Sequence, residues 1–593
     1  MSKRHGDWWR GQAFLAALVL GALGVLGWCG YLQYREAPRY QARVERQQLK
    51  IVSLPARRGT IVDRKGRILA VSTRQTSVWA DPSFLEDRRR AGEQLAGALY
   101  LDAPALADRI EQRADKRFVW IKRFITDEEA QRVEGLGLRG VVVETEYRRE
   151  YPMGTLAAHV LGFTDIDGRG LEGVEAQYDA DLAGEPGEWR LRSDAWRRPI
   201  GTQEGCRPAR HGHNLVLTLD AVVQSTVEDQ LELTVEKFHA AGAAGVVMDP
   251  RTGEVLALAN YPTFSPESAR QSGAEVRRNR ALTDPVEPGS TFKPFTVASA
   301  LEGGFVSTEQ RIFCHNGFYT GKGIGLIREY ENHGYGELSV IEVIARSSNI
   351  GAAKIAQIMG KKYFFGMIEK FGFGVRTGID LPGEGPGILL PFKEWRWGEY
   401  ALTRSAYGQG AVATTPLQLL RGFCCLCNGG RLVRPRVSRG VLSAEGAVLR
   451  DLGDDAQAAT APQVISAEVS RQMVQEVLRA VVELPGGTAR SAAVEGYAVF
   501  GKTGTAQMPR KNGKGYEDGK YVASFLAGAP ADNPRICVLV LVIEPDRRLG
   551  LGYTGGRVAA PAAREILSQT LPYLGVEKEP TPTSGPAAVA ARR

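Results

Sequence analysis

The sequence predicts an α+β protein with three parts: one membrane-spanning helix, a β-rich N-terminal module, and a larger domain whose sheet draws strands from both of its ends. Three observations carry this expectation. Ala13 to Leu32, AFLAALVLGALGVLGWCGYL, is uncharged and apolar over the ~20 residues a helix needs to cross a bilayer. RRGTIVDRKGRILAVST (Arg57 to Thr73) alternates strand-like runs around a turn at Lys65 and Gly66, which reads as a hairpin. Beyond His213, strand patterns open and close the chain around a helical middle, the order expected of an α+β domain.

A chain of 593 residues can build several cores. Its 43% hydrophobic and 24% charged residues exclude general disorder. The net charge of +8 comes from Lys and Arg scattered along the chain with no nucleic-acid-binding signature, so it is read as mild attraction to a membrane or an anionic wall polymer, not to a nucleic acid. Lys3, Arg4 and Arg10 against Asp7 favour a cytoplasmic N-terminus, although Arg35, Arg39 and Arg43 reduce the contrast. Trp28 and Cys29 spoil a signal-peptide cleavage site, and the bulky Trp28 stands where lipidation of Cys29 would need a small residue, so the segment is read as a retained anchor.

The expected divisions are a tail at 1–12, the span at 13–32, an N-terminal module at 33–213, a larger domain at 214–576 and a disordered tail at 577–593. After the span, Tyr34 to Gln48 is a polar helical stalk, residues 86–137 read as surface-lying helices, and Leu138 to Pro152 returns to strand. In the larger domain, Asp220 is placed to cap a helix, and Gly245 to Met248 and Glu254 to Ala259 form a hairpin across DPRTG. Helices run from Ser290 to about Phe373, and the end is β-rich. The seven cysteines are odd in number and irregular in spacing, which argues against a disulfide framework. FCCLCNGG sits on an apolar helical pattern as core packing, and Cys314, His315, Glu331 and His333 lack the spacing of a metal set.

The chemistry gathers at three short motifs. Ser290 and Lys293 lie three apart at a helix start, so they share a face, and a lysine that has lost its proton can activate a serine hydroxyl. Alone, the pair far more often describes a solvated lysine on a helix. Ser347, Ser348 and Asn349 stand on a break between two helices, where short polar residues also serve as caps. Lys502, Thr503, Gly504 and Thr505 are placed at the end of an apolar strand, with Gly504 permitting close approach of another backbone. Three such motifs, in this order within one domain, are a much rarer coincidence than any one of them. The Gly-rich loop of a nucleotide site is missing, and no cofactor is expected.

S-x-x-K, S-x-N and K-T-G in this order resemble the active-site serine D,D-transpeptidases, the penicillin-binding proteins. RRGTIVDRKGRILA, RREYPMGTLAAHVLGFTDIDGRGLEGVEAQYD, EPGSTFKPF, YGQGAVATTPLQL and YTGGRVAAP are similar to the signatures of class B, and VSTRQTSVWADP to the FtsI-type septal branch. The resemblance implies an antiparallel sheet flanked by helices, a β-lactamase-like arrangement, on a non-catalytic pedestal. It also implies acyl transfer: Ser290 as nucleophile, Lys293 as base, Ser347 and Lys502 as proton relay, and Asn349, Thr503, Gly504 and Thr505 binding the peptide. D-Ala-D-Ala stem peptides would be the donors, an amine the acceptor and β-lactams the inhibitors. A SEDS-type glycan polymerase and division proteins would be the partners. No E-x-x-L-N run lies between Asn349 and Lys502, which argues against a class A β-lactamase.

Overall fold

The computed structural model describes residues 5–40, 49–192, 206–330, 333–395, 398–453, 458–510 and 515–578. It contains two compact units, 1–57 with 184–211, and 58–183 with 212–593. The first holds the N-terminal helix His5–Tyr31, which runs on through a wider turn at Leu32–Glu36. Among the described residues one helix is long and apolar enough to cross a membrane, and none of its apolar window is buried in protein. Leu49–Leu54, Gly187–Arg192 and Cys206–Arg207 complete this unit as a three-stranded antiparallel sheet. Half of the expected stalk, 41–48, and most of the expected tail, 579–593, lie outside the described residues.

The second unit begins with the expected hairpin, β1 (Ile61–Val62) and β2 (Ile68–Ala80), turning at Gly66 with φ +83°. Helices α1 (Arg88–Leu99) and α2 (Ala103–Glu111), strand β3 (Val119–Ile125), helix α3 (Asp127–Gly135) and strand β4 (Val141–Glu150) follow. Here the structure corrects the sequence expectation for 86–137. Val119 and Ile121 of β3 are buried with Val78 and Ala80 of β2 against Leu95, Leu99 and Ile110, so the helices cover a core and do not merely lie on a surface. The apolar alternation of VWIKRFI is short and flanked by charge, which is why it reads as helix surround.

A buried ion network ties this module together. Glu175 accepts from Arg58 Nε at 2.6 Å and from Arg149 Nε at 2.7 Å, and Arg58 also reaches Asp179 at 2.6 Å. A second network closes the β1–β2 turn: Asp63 accepts from the backbones of Lys65 and Arg67, and Arg67 bonds Asp220 and Tyr573.

The rest of the unit is built on β5 (Asn214–Leu217), α4 (Ala221–Phe238), β6 (Gly242–Met248), β7 (Val255–Tyr261), α5 (Lys293–Glu302), α6 (Val340–Ala345) and α7 (Asn349–Met359). It continues with α8 (Pro416–Cys427), β8 (Ser438–Leu442), β9 (Val448–Asp451), β10 (Phe500–Pro509), β11 (Tyr516–Ala529), β12 (Ile536–Ile543) and α9 (Gly555–Tyr573). The central sheet is antiparallel in the order β7-β6-β12-β11-β10, so strands from both ends of the domain meet as expected. ICVLVLVI in β12 is apolar without interruption because both faces are covered. Helices α4 and α9 pack against each other and the sheet, while α8 packs on β12 and β6. Asp220 caps α4 through the Val222 N–H. A second sheet, β9-β8-β5-β1-β2-β3 with β4 on the other edge of β2, joins the module strands to this domain.

Cys424, Cys425 and Cys427 are buried on α8, with Cys427 Sγ 3.4 Å from Cys537 Sγ, as the apolar pattern predicts. Burial raises all four thiols, which keeps them protonated.

Candidate active site

The site lies where one turn, one loop and one edge strand converge. Ser290 does not open an α-helix directly, as its sequence suggests. It sits in a 3₁₀ turn, Gly289–Phe292, and α5 starts at Lys293 with Pro294 in its first turn. Gly289 has φ +54° and donates its N–H to the Gly408 carbonyl at 3.0 Å, fixing the turn against YGQG. Phe292 and Phe295 anchor α5 beneath, Phe292 in tilted contact with Phe373 and Phe295 edge-to-face with Phe371 and Phe373.

The S-x-N motif does occupy the break between α6 and α7. Ser347 takes a left-handed φ of +60°, a conformation a non-glycine residue holds only under constraint, and Ser348 caps α7 by accepting from the Gly351 N–H at 2.9 Å. For Lys502 the structure corrects the expectation: it falls near the start of β10, not at the end of an apolar strand. The preceding YAV is buried outside the ladder, which is why it reads as strand. At Gly504 a Cβ would stand 2.7 Å from Thr291 Cγ2, so only glycine lets β10 lie this close to the serine turn. Thr503 accepts no less local a role: its Oγ1 donates to Thr488 Oγ1 at 2.8 Å.

The three motifs meet around two buried amines. Lys293 Nζ lies 3.0 Å from Ser290 Oγ, 2.5 Å from the Ser347 carbonyl, 3.1 Å from Ser347 Oγ and 2.8 Å from Asn349 Oδ1. Lys502 Nζ reaches Ser347 Oγ at 2.8 Å and the Thr503 carbonyl at 2.9 Å. Both amines are fully buried. Burial brings Lys293 down to about 7, against an opposing pull from the Glu329 carboxylate. Burial first, and Lys293 second, push Lys502 well below the usual lysine range.

Hydrogen-bond counting gives these contacts a direction. The Ser347 carbonyl and Asn349 Oδ1 can only accept, and Asn349 is oriented by its Nδ2–H to the Arg328 carbonyl at 2.9 Å. A neutral amine has two N–H groups and one lone pair; those two acceptors use both N–H groups. The lone pair is left for a hydroxyl proton, and Ser290 Oγ is in reach. β10 is an edge strand, and its Thr505 carbonyl faces the serine turn, 3.2 Å from where a Cβ on Gly289 would stand. N–H and C=O of one strand residue point the same way, so the Thr505 N–H is directed there too.

Sequence reasoning missed Glu329. It follows the short strand Ile327–Arg328 and is 4% exposed. Its carboxylate accepts from Ser348 Oγ, from the Asn349 N–H at 2.7 Å and from the Ile350 N–H at 3.3 Å. Among the described residues lining the cleft, a space of about 300 Å³, it is the one carboxylate. Among the described residues no group of three or more His, Cys, Asp or Glu is arranged to hold a metal; Glu331 lies outside them.

Comparison with known proteins settles the family. Residues 243–568 match the model of the penicillin-binding protein transpeptidase domain, and residues 53–217 that of the penicillin-binding protein dimerisation domain. This chain is a class B penicillin-binding protein. It is 36% identical to the probable peptidoglycan D,D-transpeptidase PenA of Neisseria gonorrhoeae, over 94% of this chain and 93% of that one. It is 34% identical to the stage V sporulation protein D of Bacillus subtilis, over 92% and 83%. Penicillin-binding protein 3 of Mycobacterium tuberculosis, solved in complex with aztreonam, superposes with a TM-score of 0.67 at 27% identity, covering 89% of this chain and 98% of that one. The fold of this penicillin-binding protein is thus the transpeptidase fold preceded by a dimerisation-type module, as its sequence predicts.

Proposed function

We propose that this penicillin-binding protein is a peptidoglycan D,D-transpeptidase that works through an acyl-enzyme on Ser290. The observation that carries the reading is the fully buried Lys293, brought down to about 7 by that burial, whose Nζ lies 3.0 Å from Ser290 Oγ with both N–H groups of its neutral form taken by other acceptors. In this reaction Lys293 takes the hydroxyl proton as Ser290 Oγ attacks the D-Ala-D-Ala carbonyl. The Ser290 and Thr505 N–H groups hold the oxyanion. Ser347 Oγ, in reach of both amines at 3.1 and 2.8 Å, carries the proton toward the leaving D-alanine, whose carboxylate rests on Thr503 and Thr505 near Lys502. Asn349 orients the peptide backbone, and Gly504 lets β10 approach it. An acceptor amine then takes the acyl group, and a β-lactam stalls at the same ester. The reaction needs no cofactor.

In this reading residues 13–32 anchor the protein in the cytoplasmic membrane with its N-terminus inside, 33–213 dock partners and 214–576 do the chemistry. VSTRQTSVWADP favours the septal branch, with a SEDS-type polymerase as the source of glycan. The alternative is an elongation- or spore-specific role, and the kinship with a sporulation protein favours the spore-specific one.

Incubation of the full chain with nascent, uncross-linked peptidoglycan tests the reaction. Release of D-alanine together with new cross-linked dimers is expected, and neither is expected from Ser290→Ala. D-alanine release without cross-links would replace transpeptidation by carboxypeptidase activity. A tagged chain concentrated at midcell supports the septal role; signal confined to sporulating cells supports the alternative.

A further inference from the structure

Glu329 stands 20 residues before Asn349, on a different element, yet its two oxygens take hydrogen bonds from three consecutive residues, Ser348, Asn349 and Ile350. Two of those donors are the free N–H groups at the start of α7, where a carboxylate is also favoured by the helix dipole. The carboxylate is itself placed by its own backbone, since the Glu329 N–H donates to the Gly317 carbonyl at 3.1 Å. An apolar residue at this depth would leave the Ser348 hydroxyl and the Asn349 and Ile350 N–H groups without this acceptor. Of the residues Glu329 holds, Asn349 touches Lys293 through Oδ1, and Ser348 is the chain neighbour of Ser347, whose carbonyl and hydroxyl also reach Lys293.

We propose that Glu329 is a positioning residue of the reaction, which locks the Ser347–Asn349 loop so that its acceptors fix the Lys293 amine, and whose negative charge acts on that amine through the buried site. This inference rests on Lys293 being the base for Ser290. The charge and the geometry have opposite consequences. The carboxylate favours the protonated amine, which slows the base, while the hydrogen bonds hold the amine in line with Ser290, which speeds the reaction. Among the described residues the other charged or titratable groups facing this region are Lys502 from β10, whose Nζ shares Ser347 Oγ with Lys293, Cys314 beside Ser348, and Tyr330, His333, Tyr335, Arg346 and Tyr407, which line the same cleft. Of these, Glu329 is the one whose pull raises Lys293.

The test is the second-order rate constant of acylation by a fluorescent penicillin, measured from pH 5.5 to 8.5 on the full chain in detergent. Wild type, Glu329→Gln, Glu329→Asp and Ser290→Ala are compared. Glu329→Gln removes the charge and turns one acceptor into a donor facing an N–H. Its plateau is expected to fall about 10- to 100-fold, and its ascending limb to move to lower pH as Lys293 becomes easier to deprotonate. Glu329→Asp keeps the charge and shortens the reach, so its plateau falls while its limb stays with the wild type. A plateau that falls in Glu329→Gln with no movement of the limb, or equal limb shifts in both variants, overturns the electrostatic role. Wild-type kinetics in both overturn the whole inference. If Glu329→Gln does not fold, the Asp variant still decides: a moved limb there contradicts the proposal. Acylation of Ser290→Ala would instead overturn the reading of Ser290 as the nucleophile, and with it Lys293 as its base, which keeps the two failures apart.

Discussion

Lys293 and Lys502 are lysines in an environment that refuses their charge. Each is fully buried, and their ammonium forms would stand on either side of one hydroxyl, Ser347 Oγ. At about 7 for Lys293, neutral pH leaves a large fraction of the amine able to accept a proton. Acylation by a penicillin should therefore rise with pH through a midpoint near 7, the plateau exceeding the rate at pH 6 by about tenfold. Stopped-flow acylation across that range checks it; a flat profile would contradict a lysine base. The linked effect on stability has a definite sign. The folded value lies below the unfolded one, so between about 7 and the ordinary lysine value the unfolded chain binds more protons, and this site's contribution to stability rises with pH.

The eight residues singled out from spacing, Ser290, Lys293, Ser347, Asn349, Lys502, Thr503, Gly504 and Thr505, are brought to one place because each motif states its own local geometry: a serine turn, a helix break and a strand. Glu329 was not legible. IREYENHG looks like surface, and only the fold carries its carboxylate to the cap of α7.

At the scale of elements, registers and boundaries followed the sequence where a residue enforces them, as at Asp220 capping α4 or Gly66 turning β1 into β2. They failed at β3 and at the start of β10, where the local pattern is ambiguous and tertiary pairing decides. The Glu175 network is likewise invisible as a unit in sequence, although its members lie in recognisable signatures. Its energetics are those of a buried network: removing the carboxylate leaves Arg149 buried without its carboxylate partner and Arg58 with Asp179 alone. Glu175→Ala is expected to cost about 3–5 kcal/mol, seen as a lower melting temperature of the full chain. An unchanged melting temperature would show that solvent reaches both guanidinium groups.

At the scale of the whole molecule, the apolar N-terminal helix, the dimerisation-type module and the transpeptidase fold were all foreshadowed by pattern and motif, because each occupies a long, compositionally distinct stretch. What pattern could not supply is the setting of the work, septum or spore, since that depends on surfaces whose partners leave no spacing rule. The eight motif residues, by contrast, all belong to one compact unit. The central claim for their chemistry is covalent: the intact chain, incubated with penicillin and analysed by mass spectrometry after digestion, should carry one penicilloyl group per molecule on the peptide containing Ser290, stable for many minutes. Labelling of another residue, or undiminished labelling of Ser290→Ala, would contradict it.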